Sequence, residues 1–238
     1  MGRTWAGADV RYLYLAFLLA LAVTVFGFWP TTVGAFGPPD GLRILHGLFA
    51  AGWMVMLVAQ SWLIGHGYRR AHRWIGWTSL IVAPGTVITA LMVLRDSQGP
   101  GSHFGPELLM ILNWIDVWSL LLFSVLYVAA IVWRRTMSLH ARFLGSTVFV
   151  AIVPALGRAY GMNIPALGGL RGALNPCFWT VEMVLVGLIL LDASRQGGFR
   201  ARSLVPYALT LAALVAIQLT MFGAPGRAWF VGLIAAAS

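Results

Sequence analysis

Seven long runs of apolar residues dominate this chain, and they leave few options for its fold. Of its 238 residues, 60% are hydrophobic and only 10% are charged, and the mean hydropathy is +0.84. A soluble domain carries about a quarter of its residues as charged side chains to cover its surface. The sequence therefore predicts an all-α polytopic membrane helix bundle that forms a single integral membrane domain over residues 1–238.

Each run approaches the roughly 20 residues that an α-helix needs to cross a hydrocarbon core of about 30 Å. The first run ends in Phe28-Trp29-Pro30, which is typical of an interfacial aromatic stop, and it lacks a small-x-small cleavage site. We therefore expect a span rather than a signal peptide there. Residues 228–237 are too few to cross and are expected to lie at the outer interface. The predicted spans are 13–29, 45–64, 74–94, 108–133, 143–160, 176–191 and 204–222.

Arginine supplies all 16 basic side chains, because lysine is absent. This excludes a retinal Schiff base and pyridoxal chemistry, and the single cysteine, Cys177, excludes an internal disulfide and a CxxCH haem attachment. The paired arginines are interpreted as contacts to anionic lipid, with no nucleic-acid partner. Most arginines fall on the N-terminal side of the bundle, so the positive-inside rule predicts a cytoplasmic N-terminus and an external C-terminus in a bacterial cytoplasmic (inner) membrane. That side holds Arg3, Arg11, Arg69, Arg70, Arg73, Arg134, Arg135, Arg142, Arg195, Arg200 and Arg202, and the other holds Arg43, Arg95, Arg158, Arg171 and Arg227.

Ionisable side chains inside the predicted spans fall into two layers, of which the outer is the richer. An ionisable group at bilayer depth costs on the order of 2–3 kcal/mol unless it is paired or faces a cavity, so each marks a candidate site. One interpretation is an outward-facing pocket with His46, Asp116 and Glu182 as catalytic acid/base groups or metal ligands and Arg158 as an anion site. The other is that these groups pair with one another or with neighbours and fasten helices together. Nearby polar residues that belong to the layer or could close over it are Asp40, Arg43, His103, Glu107 and Asn113.

The inner layer consists of histidines near the cytoplasmic ends of the spans. His72 opens span three and His140 opens span five, and one helical face continues from His72 through small residues only. Such a face can leave a slot for a flat macrocycle. It predicts one b-type haem with His72 and His140 as axial metal ligands and Arg73 and Arg142 near its propionates. Small-residue rows are also typical of close helix packing, and His beside Arg is typical of headgroup contact. The row is Gly76, Ser79, Ala83, Thr86 and Ala90, and the remaining histidine of this layer is His66.

Three segments carry a resemblance to known proteins: His46 in span two, Ala71-His72-Arg73-Trp74-Ile75-Gly76 opening span three, and Ser138-Leu139-His140 opening span five. Over spans two to five, this pattern resembles the four-helix core of the transmembrane ascorbate-type cytochromes b. It is also similar to bacterial seven-span proteins of unknown function. In the cytochromes, histidines on spans two and four hold one haem and those on spans three and five hold another. The resemblance implies that His72 and His140 are the second pair, and, because span four has Asp116 and no histidine, that at most one haem binds.

Three functional hypotheses follow, so whether the protein is an enzyme stays open at this point. The first is electron transfer through one b-type haem, from an inner membrane redox partner to a substrate or quinone at the outer pocket. The second is a haem-free membrane enzyme that uses the His/Asp/Glu layer on a lipid-like substrate. The third is a non-catalytic subunit or assembly factor of a larger membrane complex.

Overall fold

Eight α-helices make up the part of the protein that this computed structural model describes, which is residues 7–32, 40–98, 104–196, 198–199 and 202–237. Seven of these helices are long and apolar enough to cross a membrane, and the same residues contain no strand. The predicted all-α seven-span fold is confirmed, and the chain is a multi-pass membrane protein in contact with lipid. The helices are α1 (Gly7–Thr32), α2 (Gly41–Gly65), α3 (Arg69–Asp96), α4 (Pro106–Val132), α5 (Met137–Asn163), α6 (Leu170–Gln196), α7 (Val205–Met221) and α8 (Ala228–Ala237).

The helices extend beyond the apolar runs that predicted them. α5 begins at Met137 and α6 at Leu170, each six residues before its predicted span. An apolar run marks only the part of a helix that lies in hydrocarbon, whereas the backbone stays helical until a cap or a turn ends it. The extra residues include Arg142, so its position within a helix was not visible from hydropathy alone.

The chain divides into two compact units, residues 1–90 and 91–238, with the boundary inside α3. In the first unit α1 packs on α2, and α2 runs antiparallel to the first part of α3. Gly85 makes room for the Phe49 ring of α2, because a Cβ there would lie 2.3 Å from that ring. The facing residues, from the outer end inward, are His46 with Thr89, Phe49 with Gly85, Gly52 with Val82, Met56 with Thr78, and Gln60 with Gly76.

In the second unit α5 is the most buried of the spans, and it contacts α4, α6 and α7. Buried residues make up 56% of its apolar window, against 28% for α6 and 44% for α7. The short α8 has Phe230 and Ile234 buried, at 1% and 4% exposure. Side chains that α5 directs inward are therefore shielded on several sides by neighbouring helices.

A tight turn joins α5 to α6 and sets their relative height. Gly168 and Gly169 have positive φ angles of 69° and 89°, which favour glycine. At Gly172 a Cβ would lie 1.7 Å from the Leu167 carbonyl oxygen, so only glycine fits. Because this turn is short, residues equally distant from it on the two helices lie at similar depth.

Candidate functional site

The outer polar group of the first unit is a histidine held by a threonine. His46 is partly buried on α2, and its Nδ1 lies 3.1 Å from Thr89 Oγ1 on α3. The Thr89 hydroxyl donates to the Gly85 carbonyl at 2.7 Å, so it accepts a hydrogen bond from the Nδ1–H of His46. This bond fixes the ring and leaves Nε2 as its acceptor atom.

The inner polar group of the first unit contains His72, Arg73 and His66. His72 is partly buried and Arg73 is exposed. On the small-residue row that continues from His72, Gly76 faces Gln60 of α2. Ser79 and Ala83 of the same row are buried. His66 is exposed at the end of α2, with Nδ1 2.8 Å from the Trp62 carbonyl oxygen. His46 and His72 therefore lie at opposite ends of this unit, because Thr89 and His72 are about 25 Å apart along α3 at 1.5 Å per residue.

In the second unit, Asp116 on α4 and Arg158 on α5 attract each other electrostatically. Both side chains are partly buried, and Arg158 Nη1 also donates to the Pro154 carbonyl at 3.1 Å. One turn from Asp116, Asn113 is 1% exposed and exchanges two hydrogen bonds of 3.1 Å with Gln98. The outer part of α4 thus carries two polar side chains, one turn apart, that meet different partners.

Glu182 contacts a group of neutral polar side chains between α6 and α7. The Gln218 amide fits Glu182 and Trp179 with its nitrogen toward Glu182, where it donates to the two carboxylate oxygens at 3.0 and 3.2 Å. In that orientation its oxygen accepts from Trp179 Nε1 at 2.9 Å, and the Asn175 amide lies 3.1 Å away. We call these four residues, Asn175, Trp179, Glu182 and Gln218, the polar seam.

The polar seam lies near the middle of the bilayer and is open on one side. Glu182 is 12 residues from the first residue of α6 and 14 from the last, which is about 18 and 21 Å at 1.5 Å per residue. Glu182 is partly exposed and the Trp179 residue is 52% exposed. Gln218 is buried, with only 7% of its surface exposed. Gln218 therefore holds the Glu182 carboxylate on one side, and the residue as a whole stays partly exposed.

At the inner end of the second unit, His140 bonds to the last part of α4. Its Nδ1 lies 2.8 Å from the Ala130 carbonyl oxygen. Since a carbonyl only accepts hydrogen bonds, Nδ1 carries the proton and Nε2 carries the free lone pair of the ring. That arrangement is typical of a histidine that ligates a metal through Nε2.

Arg142, one turn from His140, forms a buried ion pair. Its Nε donates to Asp192 Oδ2 at 2.6 Å, and the two side chains are 2% and 9% exposed. Arg142 Nη1 also donates to the Ser138 carbonyl at 2.9 Å. Asp192 thus neutralises the arginine that the sequence had suggested as a propionate partner.

Ion pairs at the outer ends of the helices are exposed. Asp40 caps α2 by accepting from the backbone N–H of Arg43 at 2.8 Å and pairs with the Arg43 side chain. The Arg43 N–H is the main reason why the pKa of Asp40 lies below its usual value. Arg171 bonds Glu107 at 2.9 Å, with the two side chains 50% and 60% exposed. The remaining outer-loop candidate, His103, lies outside the described residues.

Of the predicted outer-layer residues, the second unit brings Asp116 and Arg158 together and gives Glu182 a separate set of partners. His46 and His72 belong to the first unit, whereas His140, Asp116, Arg158 and Glu182 belong to the second. Along α5, His140 and Arg158 are 18 residues or about 27 Å apart, so the two layers are distinct there as well.

The sequence interpretation missed Asp192, Gln218, Asn175 and the indole N–H of Trp179. Helix counting could have found two of them. Arg142 is 21 residues from the last residue of α5 and Asp192 is 22 residues from the first of α6, so both lie at one depth. Glu182 is 14 residues from the inner end of α6 and Gln218 is 13 from the inner end of α7. Apart from Asn113, neutral amides inside the spans were not counted as candidates, which explains why Gln218 was passed over.

Within the described ranges, no group of three or more His, Cys, Asp or Glu residues could hold a metal ion. A bis-histidine haem needs only two such ligands, so this finding does not bear on the haem hypothesis. Comparisons with protein-family models, with curated proteins and with solved structures give no match to this chain.

Proposed function

We propose that this membrane protein transfers electrons through one b-type haem, with His72 and His140 as its axial ligands. The observation that carries the proposal is the hydrogen bond from His140 Nδ1–H to the Ala130 carbonyl. It fixes the ring between α4 and α5 and leaves Nε2 to bind iron, as backbone carbonyls do when they accept from the Nδ1–H of metal-binding histidines. When bound, the haem supplies one-electron redox chemistry.

The arginines next to the two histidines differ in whether they could bind the haem propionates. His72 is partly buried at the start of α3, and its neighbour Arg73 is exposed. Arg73 is therefore the cation that we assign to the haem propionates. Arg142 is already neutralised by Asp192 at 2.6 Å and is almost fully buried, so we give it a structural role beside His140 instead.

The test is a spectrum of the purified protein with and without added haemin. We expect a Soret band that shifts on reduction with dithionite, and one haem per chain. His140→Ala and His72→Ala should each abolish the bis-histidine spectrum, because each removes one axial ligand.

His66→Ala is a matched control. His66 Nδ1 also bonds a backbone carbonyl at 2.8 Å, but the residue is exposed at a helix end. This variant should keep the wild-type spectrum. A folded, monodisperse wild-type protein without Soret absorbance after haemin addition would overturn the proposal and favour a haem-free role for Asp116, Arg158 and Glu182.

A further inference from the structure

We propose that the polar seam between α6 and α7 binds the head group of a membrane-dissolved quinol, with Glu182 accepting a hydrogen bond from a quinol hydroxyl. The inference rests on the proposed electron-transfer function for the choice of a redox-active ligand. Its binding test, however, does not require haem.

The depth of the polar seam restricts which ligands can reach it. Glu182 lies about 18 Å from one end of α6 and about 21 Å from the other. Phospholipid head groups stay at the interface, outside a hydrocarbon core that is about 30 Å thick. A ligand for Glu182 must therefore carry its polar atoms into the hydrocarbon, as a quinol with an apolar tail does.

The carboxylate of the seam suits a quinol hydroxyl. Gln218 donates to the Glu182 oxygens at 3.0 and 3.2 Å, and Trp179 Nε1 holds the Gln218 oxygen at 2.9 Å. A quinol hydroxyl donates to the lone pairs of the carboxylate that this arrangement orients. The 52% exposed Trp179 offers an aromatic surface on the open side of the seam.

A second copy of the chain suits this surface less well than a quinol. Self-association through the polar seam would bring two Glu182 carboxylates together in a medium of low dielectric, which is repulsive. Within the described residues, Glu182 has no ion pair that would offset this repulsion.

The experiment measures binding of decylubiquinol, kept reduced under argon, to the full chain in lipid nanodiscs by calorimetry, with empty nanodiscs as the blank for partitioning. Wild-type protein should bind one quinol per chain. Glu182→Gln should weaken binding about tenfold or more, because it removes a charged acceptor. Trp179→Phe should weaken it roughly threefold, because it removes the N–H that orients the Gln218 amide toward Glu182 but keeps an aromatic ring.

Tyr160→Phe is the matched control. It removes another interhelical hydrogen bond, from α5 to Thr180 of α6 at 3.0 Å, and should leave quinol affinity unchanged. If Glu182→Gln does not fold, Trp179→Phe still decides the question, because Trp179 is largely exposed.

Equal quinol affinity in wild type, Glu182→Gln and Trp179→Phe would show mere partitioning and overturn the proposal. Cross-linked dimers in which a second copy of the chain occupies the polar seam would overturn it as well. A haem spectrum without quinol binding would overturn this inference alone. Quinol binding without a haem spectrum would overturn the electron-transfer function and leave the quinol site in place.

Discussion

Two carboxylates on α6 differ in their partners, because one is paired with a cation and the other is bonded to a neutral amide. Near the inner end, Asp192 lies 2.6 Å from Arg142, and both side chains are almost fully buried. Near the middle of the same helix, Glu182 receives hydrogen bonds from the neutral amide of Gln218 and is partly exposed. In the first site the two opposite charges are paired with each other and shielded from solvent. We conclude that the inner pair stabilises the fold, whereas the charge of the polar seam is available for binding.

The largest effect should come from breaking the inner pair. Asp192→Asn or Arg142→Met leaves one charge buried without its counter-ion, which typically costs about 3–5 kcal/mol. Denaturant titration in detergent micelles should show this loss in the free energy of unfolding. The double variant Arg142→Met with Asp192→Leu should recover most of it, because well-packed apolar residues replace buried ion pairs at little cost.

Glu107→Gln is the control for that prediction. It removes an ion pair that is at least half exposed on both sides, so no measurable change in stability is expected. If Asp192→Asn behaved like Glu107→Gln, the inner pair would not be a stabilising element and the comparison on α6 would be wrong.

A smaller effect is expected at the outer pair in the second unit. Asp116→Asn removes the charge that attracts Arg158, but both side chains are only partly buried and Arg158 keeps its bond to the Pro154 carbonyl. We expect a loss of about 1–2 kcal/mol in the same titration. A loss as large as that of Asp192→Asn would place Asp116 with the structural charges.

The next smaller loss of stability is expected at Asp40, a charged residue at the water-facing end of α2. Asp40→Ala removes the cap of α2 and should cost about 1 kcal/mol. Because the folded-state pKa of Asp40 is lowered, its charge contributes stability above the unfolded-state pKa. That contribution is lost as the pH falls below about 4.

Asp40→Asn separates the two contributions of this residue. Asparagine is as good an N-cap as aspartate, so stability near pH 7 should change little while the acid-dependent part disappears. Unfolding titrations at pH 7 and pH 3 of wild type and both variants test this. An unchanged acid response in Asp40→Asn would contradict the role assigned to the carboxylate.

The fold could be predicted from the sequence because hydropathy and length alone define a membrane span. The same property hides the partners within the site. A helix that is apolar on nearly every side does not reveal which face meets its neighbour, so Glu182 was found as an isolated charge and Gln218 was not connected to it. Asp192 was missed for another reason, since it lies one residue beyond the predicted span 176–191, where a charge looks like an ordinary helix end.

The smallest effect on stability is expected at Glu182 itself. Glu182→Gln keeps a side chain of the same shape that can still bond Gln218, and in the described residues no cation loses a partner. The free energy of unfolding should therefore change by no more than about 0.5 kcal/mol, or rise because a charge leaves the middle of the bilayer. A loss of several kcal/mol, comparable to that of Asp192→Asn, would mean that the seam fastens α6 to α7 as the inner pair fastens α5 to α6. A neutral outcome combined with weakened quinol binding would separate the two carboxylates of α6 into one that maintains the structure and one that binds.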